Sequence, residues 1–272
     1  MKGPIGIFDS GYGGLTVLSA IRKQLPQYDY LYLGDNARTP YGTRSFETVY
    51  QYTLQAVRYL FSQGCPLVIL ACNTASAKAL RSIQQLDLPH LAPDRRVLGV
   101  IRPTTEMIGN QTTSRQVGIL GTSGTVLSDS YPVEIRKFFP DVQVFQQACP
   151  MWVPLVENNE LENSGTEYFV GKSVNNLLQQ SDHIDTILLA CTHYPLLLNT
   201  IKKLTPEHIS IVTQGEIVAT SLVDYLERHP EMAAQCSKHG DVAFQTTDDK
   251  DKFNRASAIF LGYQTDATKV AL

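Results

Sequence analysis

Two cysteines of the chain stand in matching contexts. Ala71-Cys72-Asn73-Thr74 and Ala190-Cys191-Thr192 each follow an apolar run and precede a helix-like stretch, and Cys191 follows Cys72 by 119 residues. A cysteine at a strand end next to a helix start meets the partial positive charge of the helix, which favours a thiolate. A free thiol titrates near about 8.5, so modest help makes it a base at neutral pH. Two such groups on opposite faces of one substrate carbon suit removal and return of a proton. Taken singly, a cysteine ending an apolar run is core filler. The matched pair points to chemistry. Each thiol also has a nearby helper. Asp9 follows the first apolar run, and His193 is two residues after Cys191. Asp9 has a plainer use as cap of the helix that starts near Leu15. Ser10, Asn73, Thr74, Thr122, Thr125 and Thr192 supply hydroxyl and amide donors for a carboxylate-bearing ligand. Helix capping is compatible with that role, since a cap faces the same cleft.

The elements that must position these groups alternate along the chain. Gly6–Phe8, Tyr28–Leu33, Pro66–Ala71 and Val97–Ile101 read as strands. Leu15–Leu25, Phe46–Gln63 and Ser76–Gln85 read as helices between them. Such alternation means βαβ units and a parallel sheet. The second half repeats the order. Gly118–Leu120, Val142–Phe145, Thr186–Ala190 and Ile209–Val212 echo the four strands, at offsets of 112 to 119 residues, with a helix at Tyr168–Leu178. A repeat longer than 100 residues is a duplicated domain. The expected fold is α/β, with two pseudo-symmetric, doubly wound parallel-sheet lobes. Residues 1–98 and 209–272 are expected to form the first lobe and 99–208 the second. Ligands bind outside the carboxyl ends of parallel strands, which puts the active site in the cleft between the lobes. Phe253–Tyr263 reads as a closing helix or strand, and Asp248–Asp251 as a solvated turn.

Composition narrows the function classes. The 272 residues are 43% apolar and 18% charged, enough to build a core and too apolar for disorder. The 23 Lys and Arg against 26 Asp and Glu leave a net charge of −3. That balance offers no electrostatic case for nucleic acid or an anionic membrane. Met1–Phe8 does not read as a signal peptide. The longest apolar stretch, near Cys65–Cys72, falls well short of the roughly 18 residues of a membrane span. Five cysteines, an odd number, read as free thiols of a reducing compartment. The expected location is the cytoplasm.

Competing motifs fail on spacing. Gly165 to Gly171-Lys172-Ser173 has one residue too many for a phosphate-binding loop, and no strand precedes it. Gly11-Tyr12-Gly13-Gly14 lacks the third glycine of the dinucleotide fingerprint. No CxxC or HExxH motif suggests zinc. A site of Cys72, Cys191 and His193 would leave a metal's ligand set incomplete. No lysine follows a strand as a pyridoxal Schiff base requires. The reading is therefore no metal and no cofactor. Arg44 and Lys78 are expected on solvated faces, and Cys65, Cys149 and Cys236 in structural roles.

The motif set resembles the glutamate racemase family. The residues that carry the resemblance are Asp-Ser-Gly-Tyr-Gly-Gly (9–14), Gly-Asp-Asn-Ala-Arg-Thr-Pro-Tyr-Gly (34–42), Ala-Cys-Asn-Thr-Ala-Ser (71–76), Gly-Thr (124–125) and Ala-Cys-Thr-His-Tyr-Pro (190–195). The resemblance runs from Gly6 to about Tyr225. It implies cofactor-independent interconversion of L- and D-glutamate, with D-glutamate destined for peptidoglycan. It implies that Cys72 and Cys191 are the acid/base thiols, with Asp9 beside the first and His193 beside the second. Ser10, Tyr41, Gly42, Asn73, Thr74, Thr125 and Thr192 match substrate-binding positions, and Asp35 and Glu157 match further polar residues near the site. The partners it implies are glutamate and a second copy in a homodimer. Aspartate racemases share the two-thiol plan but typically carry His in place of Ser76 and Glu in place of His193. Ala190 replaces a common Gly, and Thr213-Gln214-Gly215-Glu216 lacks the acidic-Ser pair often found after the last strand. The residues by themselves reach a two-thiol proton-transfer site for a small polar, anionic ligand. An aspartate or other amino-acid racemase, a thiol redox protein and a non-catalytic small-ligand receptor stay open at that level.

Overall fold

The structure, a computed structural model, describes residues 2–272. Among them, ten strands run as β1 (Ile5–Asp9), β2 (Tyr30–Gly34), β3 (Leu67–Leu70), β4 (Arg96–Gly99), β5 (Gln116–Gly121), β6 (Gln143–Ala148), β7 (Thr186–Ala190), β8 (Ser210–Val212), β9 (Val242–Thr246) and β10 (Ala267–Lys269). They form two all-parallel sheets, in the orders β10-β9-β2-β1-β3-β4 and β6-β5-β7-β8. The order β2-β1-β3-β4 in the first sheet recurs as β6-β5-β7-β8 in the second, which is the expected pair of α/β lobes. The second sheet keeps β8, so we place the crossing back to the first lobe after Val212.

Burial explains why these runs become strands. Every residue of β1 is buried. Its alternate side chains serve opposite faces: Ile5 and Ile7 join one apolar cluster and Phe8 the other. A strand covered on both faces must be apolar throughout. Each such buried Ile or Phe contributes about 1.5–3 kcal/mol. Helix α1 (Gly14–Gln24) buries Leu15, Val17, Leu18 and Ile21 in the same cluster as Val218, Ala219 and Leu222 of the helix Gly215–Arg228. Helix α2 (Phe46–Ser62) covers the other face and is capped by Ser45, whose hydroxyl accepts the Thr48 N–H.

Some local expectations are corrected. The strand expected at Val97–Ile101 stops at Gly99, and Ile101 opens a short helix. The helix expected at Ser76–Gln85 starts earlier, as α3 (Asn73–Lys78), because the Cys72 sulfur caps it by accepting the Ala75 N–H. Beyond it the chain breaks into a short turn and a π-helical stretch, Ile83–Asp87. Lys78 is buried rather than solvated, and its ammonium donates to the Arg44 carbonyl at 2.6 Å. The segment Asp248–Asp251 is a helix start: Asp249 caps the helix Lys250–Leu261 by accepting the Lys252 N–H. No helix among the described residues is long and apolar enough to cross a membrane.

Candidate active site

The carboxyl ends of β1, β3, β5 and β7 face a cavity of about 330 Å³ between the two sheets. Asp9 and Ser10 enter it from the end of β1. Cys72, Asn73 and Thr74 enter from the turn between β3 and α3. Thr122 enters from the end of β5, and Cys191, Thr192 and His193 from the end of β7. Tyr41, Gly42 and Glu157 complete the residues expected there. Asp35 and Thr125 stand one layer back. The Tyr41 hydroxyl donates to Asp35 at 2.5 Å, and Arg38 and Thr247 hold the same carboxylate. Thr125 is fully buried, and its hydroxyl lies 3.0 Å from that of Thr122.

Each lobe contributes one thiol, and both thiols are only 6% exposed. The Ser10 hydroxyl lies 3.4 Å from the Cys72 sulfur, and the Ala75 N–H donates to that sulfur. Burial outweighs the helix start at Cys72. Burial, with the nearby Asp9 charge, pushes its thiol up to about 12 against the pull of Ser10 and Ala75. That direction favours the protonated form of Cys72. Asp9 does not occupy the N-cap of α1; that position belongs to Gly13, which makes no side-chain cap. The Asp9 carboxylate accepts the Gly11 N–H at 2.9 Å. Burial raises its pKa, while His193 and the backbone at Gly11 and Gly14 draw it back.

The second thiol is built differently. The His193 ring lies between two partners, with Nδ1 3.8 Å from the Cys191 sulfur and Nε2 3.0 Å from Glu157 Oε1. Burial lowers the pKa of this imidazole, but the bonds to Cys191 and Glu157 outweigh it and push His193 up to about 10. Among the described lining residues, His193 is the only basic side chain. With His193 engaged by Cys191 and Glu157, the remaining donors that the lining offers a carboxylate are neutral. Thr74 and Thr122, one from each lobe, meet at 2.9 Å and offer hydroxyls at the seam. The Thr16 hydroxyl on α1 donates to the Thr192 carbonyl at 3.0 Å and ties the second thiol's loop to the first lobe.

Several lining residues escape sequence reasoning. Cys149, expected to be structural, is in the wall with Pro150, Val153 and Pro154. Cys149 and Pro150 come from the turn after β6, and Val153 and Pro154 from the helix Trp152–Glu157 that follows, where no residue pattern signals a site. Thr39, Pro40 and Thr43 flank the expected Tyr41 and Gly42. Metal-ligating types gather elsewhere. Asp29, His239 and Asp241 lie at the amino ends of β2 and β9, away from the cavity. There the Asp29 carboxylate accepts the N–H groups of His239 and Asp241, which suits a turn clamp.

The chain and its fold are similar to those of known proteins. The sequence profile of the Asp/Glu/Hydantoin racemase family matches residues 13–222. A glutamate racemase of Geobacter metallireducens is 40% identical over 259 residues, covering 95% of this chain and 92% of that protein. The crystal structure of a glutamate racemase isoform from Bacillus anthracis is similar with a TM-score of 0.89 at 33% identity, over 99% of this chain and 98% of that one. A glutamate racemase from Francisella tularensis, solved in complex with D-glutamate, is similar with a TM-score of 0.88 at 28% identity, over 99% and 98%.

Proposed function

The chain belongs to the Asp/Glu/Hydantoin racemase family, and from that premise we propose that it is a cofactor-independent glutamate racemase with Cys72 and Cys191 as its two acid/base groups. One observation carries the reading. Two buried thiols, one from each lobe, open on the same cavity, and each has its own polar partners. In the proposed step one sulfur, as thiolate, takes the α-proton of glutamate, breaking one C–H bond and forming one S–H bond. The opposite thiol then gives its proton to the other face, and the two sulfurs have exchanged roles. The reverse reaction starts from that exchanged state.

The two thiols have different surroundings. Cys72, pushed up to about 12, stands as the proton donor. The imidazolium of His193, anchored by Glu157, is the cation that lies beside the Cys191 sulfur. Substrate carboxylates are held by Ser10, Tyr41, Gly42, Asn73, Thr74 and Thr192, with Thr122, Thr125 and Asp35 supporting them from behind. Fixed donors in a cavity shielded from water stabilise the charge that develops as the α-proton leaves. Ser76 favours this reading over an aspartate racemase. Aspartate racemases typically carry His at that position, whereas here the Ser76 hydroxyl donates to the Leu70 carbonyl at 2.9 Å. On the same premise the protein works in the cytoplasm as a homodimer and supplies D-glutamate for peptidoglycan.

The test is α-proton exchange of D- and L-glutamate in deuterated buffer, followed by NMR, with L- and D-aspartate in parallel. Exchange with inversion on glutamate is expected. Cys72→Ala and Cys191→Ala should each lower racemisation by at least about 10³-fold while glutamate still binds. Full turnover in either variant removes the two-thiol mechanism. Exchange on aspartate alone moves the substrate, and exchange on none of the four leaves a binding protein.

A further inference from the structure

The loop that departs from the family pattern carries a residue with an unusual set of partners. Gln214 lies between β8 and the helix Gly215–Arg228 and is 4% exposed. Its Oε1 accepts from Asn73 Nδ2 at 2.7 Å. Its Nε2, with two hydrogens to give, faces three acceptors: the Tyr131 hydroxyl at 2.7 Å, Thr104 Oγ1 at 3.0 Å and the Val100 carbonyl at 3.2 Å. The Tyr131 hydroxyl in turn donates to Asn73 Oδ1 at 2.6 Å. Asn73 belongs to the first lobe and Tyr131 to the second, and Val100 and Thr104 lie on the other crossing between the sheets. One amide thus joins both crossings and both lobes.

Donor and acceptor counting gives this circuit a direction. The Val100 carbonyl can only accept, so the Gln214 amide must turn its NH₂ toward Val100 and its oxygen toward Asn73. Asn73 must then turn its NH₂ toward Gln214 and its oxygen toward Tyr131. Turning either amide over would set two acceptors, or two donors, against each other among buried side chains. Among the described residues one Asn73 Nδ2 hydrogen has no acceptor, and Asn73 lines the cavity.

We propose that Gln214 is a positioning residue that, together with Tyr131, locks the Asn73 amide so that it offers an N–H donor, never a carbonyl, to a substrate carboxylate. This rests on the racemase reading above and adds what sets the polarity of one subsite.

The test compares wild type, Gln214→Met, Asn73→Ala, the double variant and Tyr131→Phe in racemisation of both glutamate hands. Gln214→Met is expected to raise KM roughly tenfold with a smaller change in kcat. The double variant should be no worse than Asn73→Ala alone. Losses that multiply in the double variant overturn the proposal, because Gln214 would then act by another route. If Gln214→Met does not fold, Tyr131→Phe, which deletes one hydroxyl, carries the same cycle. Nitrogen-15 NMR of the ligand-free protein gives a readout independent of turnover. Wild type should show one Asn73 side-chain proton protected from exchange, and Gln214→Met should lose that protection. Two freely exchanging protons in wild type overturn the proposal for any substrate. Wild-type protein that exchanges no α-proton of glutamate, with the protected proton present, overturns the racemase reading alone.

Discussion

His193 Nε2 and Glu157 Oε1 stand 3.0 Å apart in the wall of the cavity, with the Cys191 sulfur on the far side of the same ring. The carboxylate is one of two groups that keep the buried imidazole protonated. Glu157→Gln should therefore move the His193 midpoint down from about 10, toward the ordinary value near about 6.5. Turnover should fall roughly tenfold. NMR titration of the His193 ring checks the first result, and an unchanged midpoint would mean that Cys191 holds the proton unaided.

The same shift links stability to pH. The folded value of His193 lies above the unfolded one, so its contribution is complete below about pH 6.5 and is lost as pH rises through about 10. The contribution is on the order of a few kcal/mol. Denaturant unfolding at pH 6, 8.5 and 10.5, with His193→Asn as reference, should show wild type losing its advantage across that window. Parallel curves for the two proteins would refute it.

Gly13 predicts a packing effect on the second thiol. A Cβ placed there would lie 2.3 Å from Thr192 Oγ1 and 2.4 Å from His193 Nδ1. Nothing that close can remain in place. Gly13→Ala should displace the loop carrying Cys191 and His193 and cost on the order of 10²-fold in kcat/KM. Overpacking should cost about 1–3 kcal/mol of stability. Kinetics and thermal melting check both, and wild-type kinetics would show that the loop yields freely.

The tail contributes through one ring. Phe260, on the helix Lys250–Leu261, meets the His193 ring edge-on at 5.5 Å and stacks on Tyr12 at 6.1 Å. Phe260→Ala should cost about 1–3 kcal/mol, below the value for a fully buried Phe because this side chain is partly exposed. It should also change turnover several-fold by loosening the imidazole. Urea unfolding and racemisation assays test it, and a neutral result in both would leave the tail as sheet edge only.

Asp185 offers a check outside the cavity. Burial pushes its carboxyl up, but donors at Thr112, Thr113 and Ser114 prevail and hold it well below the usual carboxylate range. A lowered folded value gives stability above the unfolded value, near about 3.8, that is lost as pH falls through the folded one. Asp185→Asn should destabilise by about 1–2 kcal/mol at pH 7. The gap should narrow below pH 4, and a gap independent of pH would contradict the account.

How far the site was legible differs by element. Strand β7 has the expected bounds, Thr186–Ala190, because a fully buried parallel strand is an unbroken apolar run. Strand β9 was not legible. Phe244 is its only buried apolar side chain, so the run reads as mixed polar surface. Cys72 could be read as a strand-end thiol, yet its raised pKa could not, because that depends on burial and on Asp9, 63 residues earlier in the chain. Lys78 misled for a similar reason: lysine is usually solvated, and only the packing of α3 against the 42–44 loop and Gly124 buries it.

By itself the sequence determined the alternation of strands and helices, the doubled strand order, and the two thiols at equivalent strand ends. Those properties are local, set by apolar runs, glycine turns and residue types at fixed spacing. Tertiary structure alone decided that Glu157 and Phe260 brace His193. It also decided that Cys149 lines the wall and that Gln214 grips Asn73 across the crossing between lobes. These are contacts between segments up to 141 residues apart. Their geometry depends on how two twisted sheets face one another, and no spacing along the chain encodes that distance.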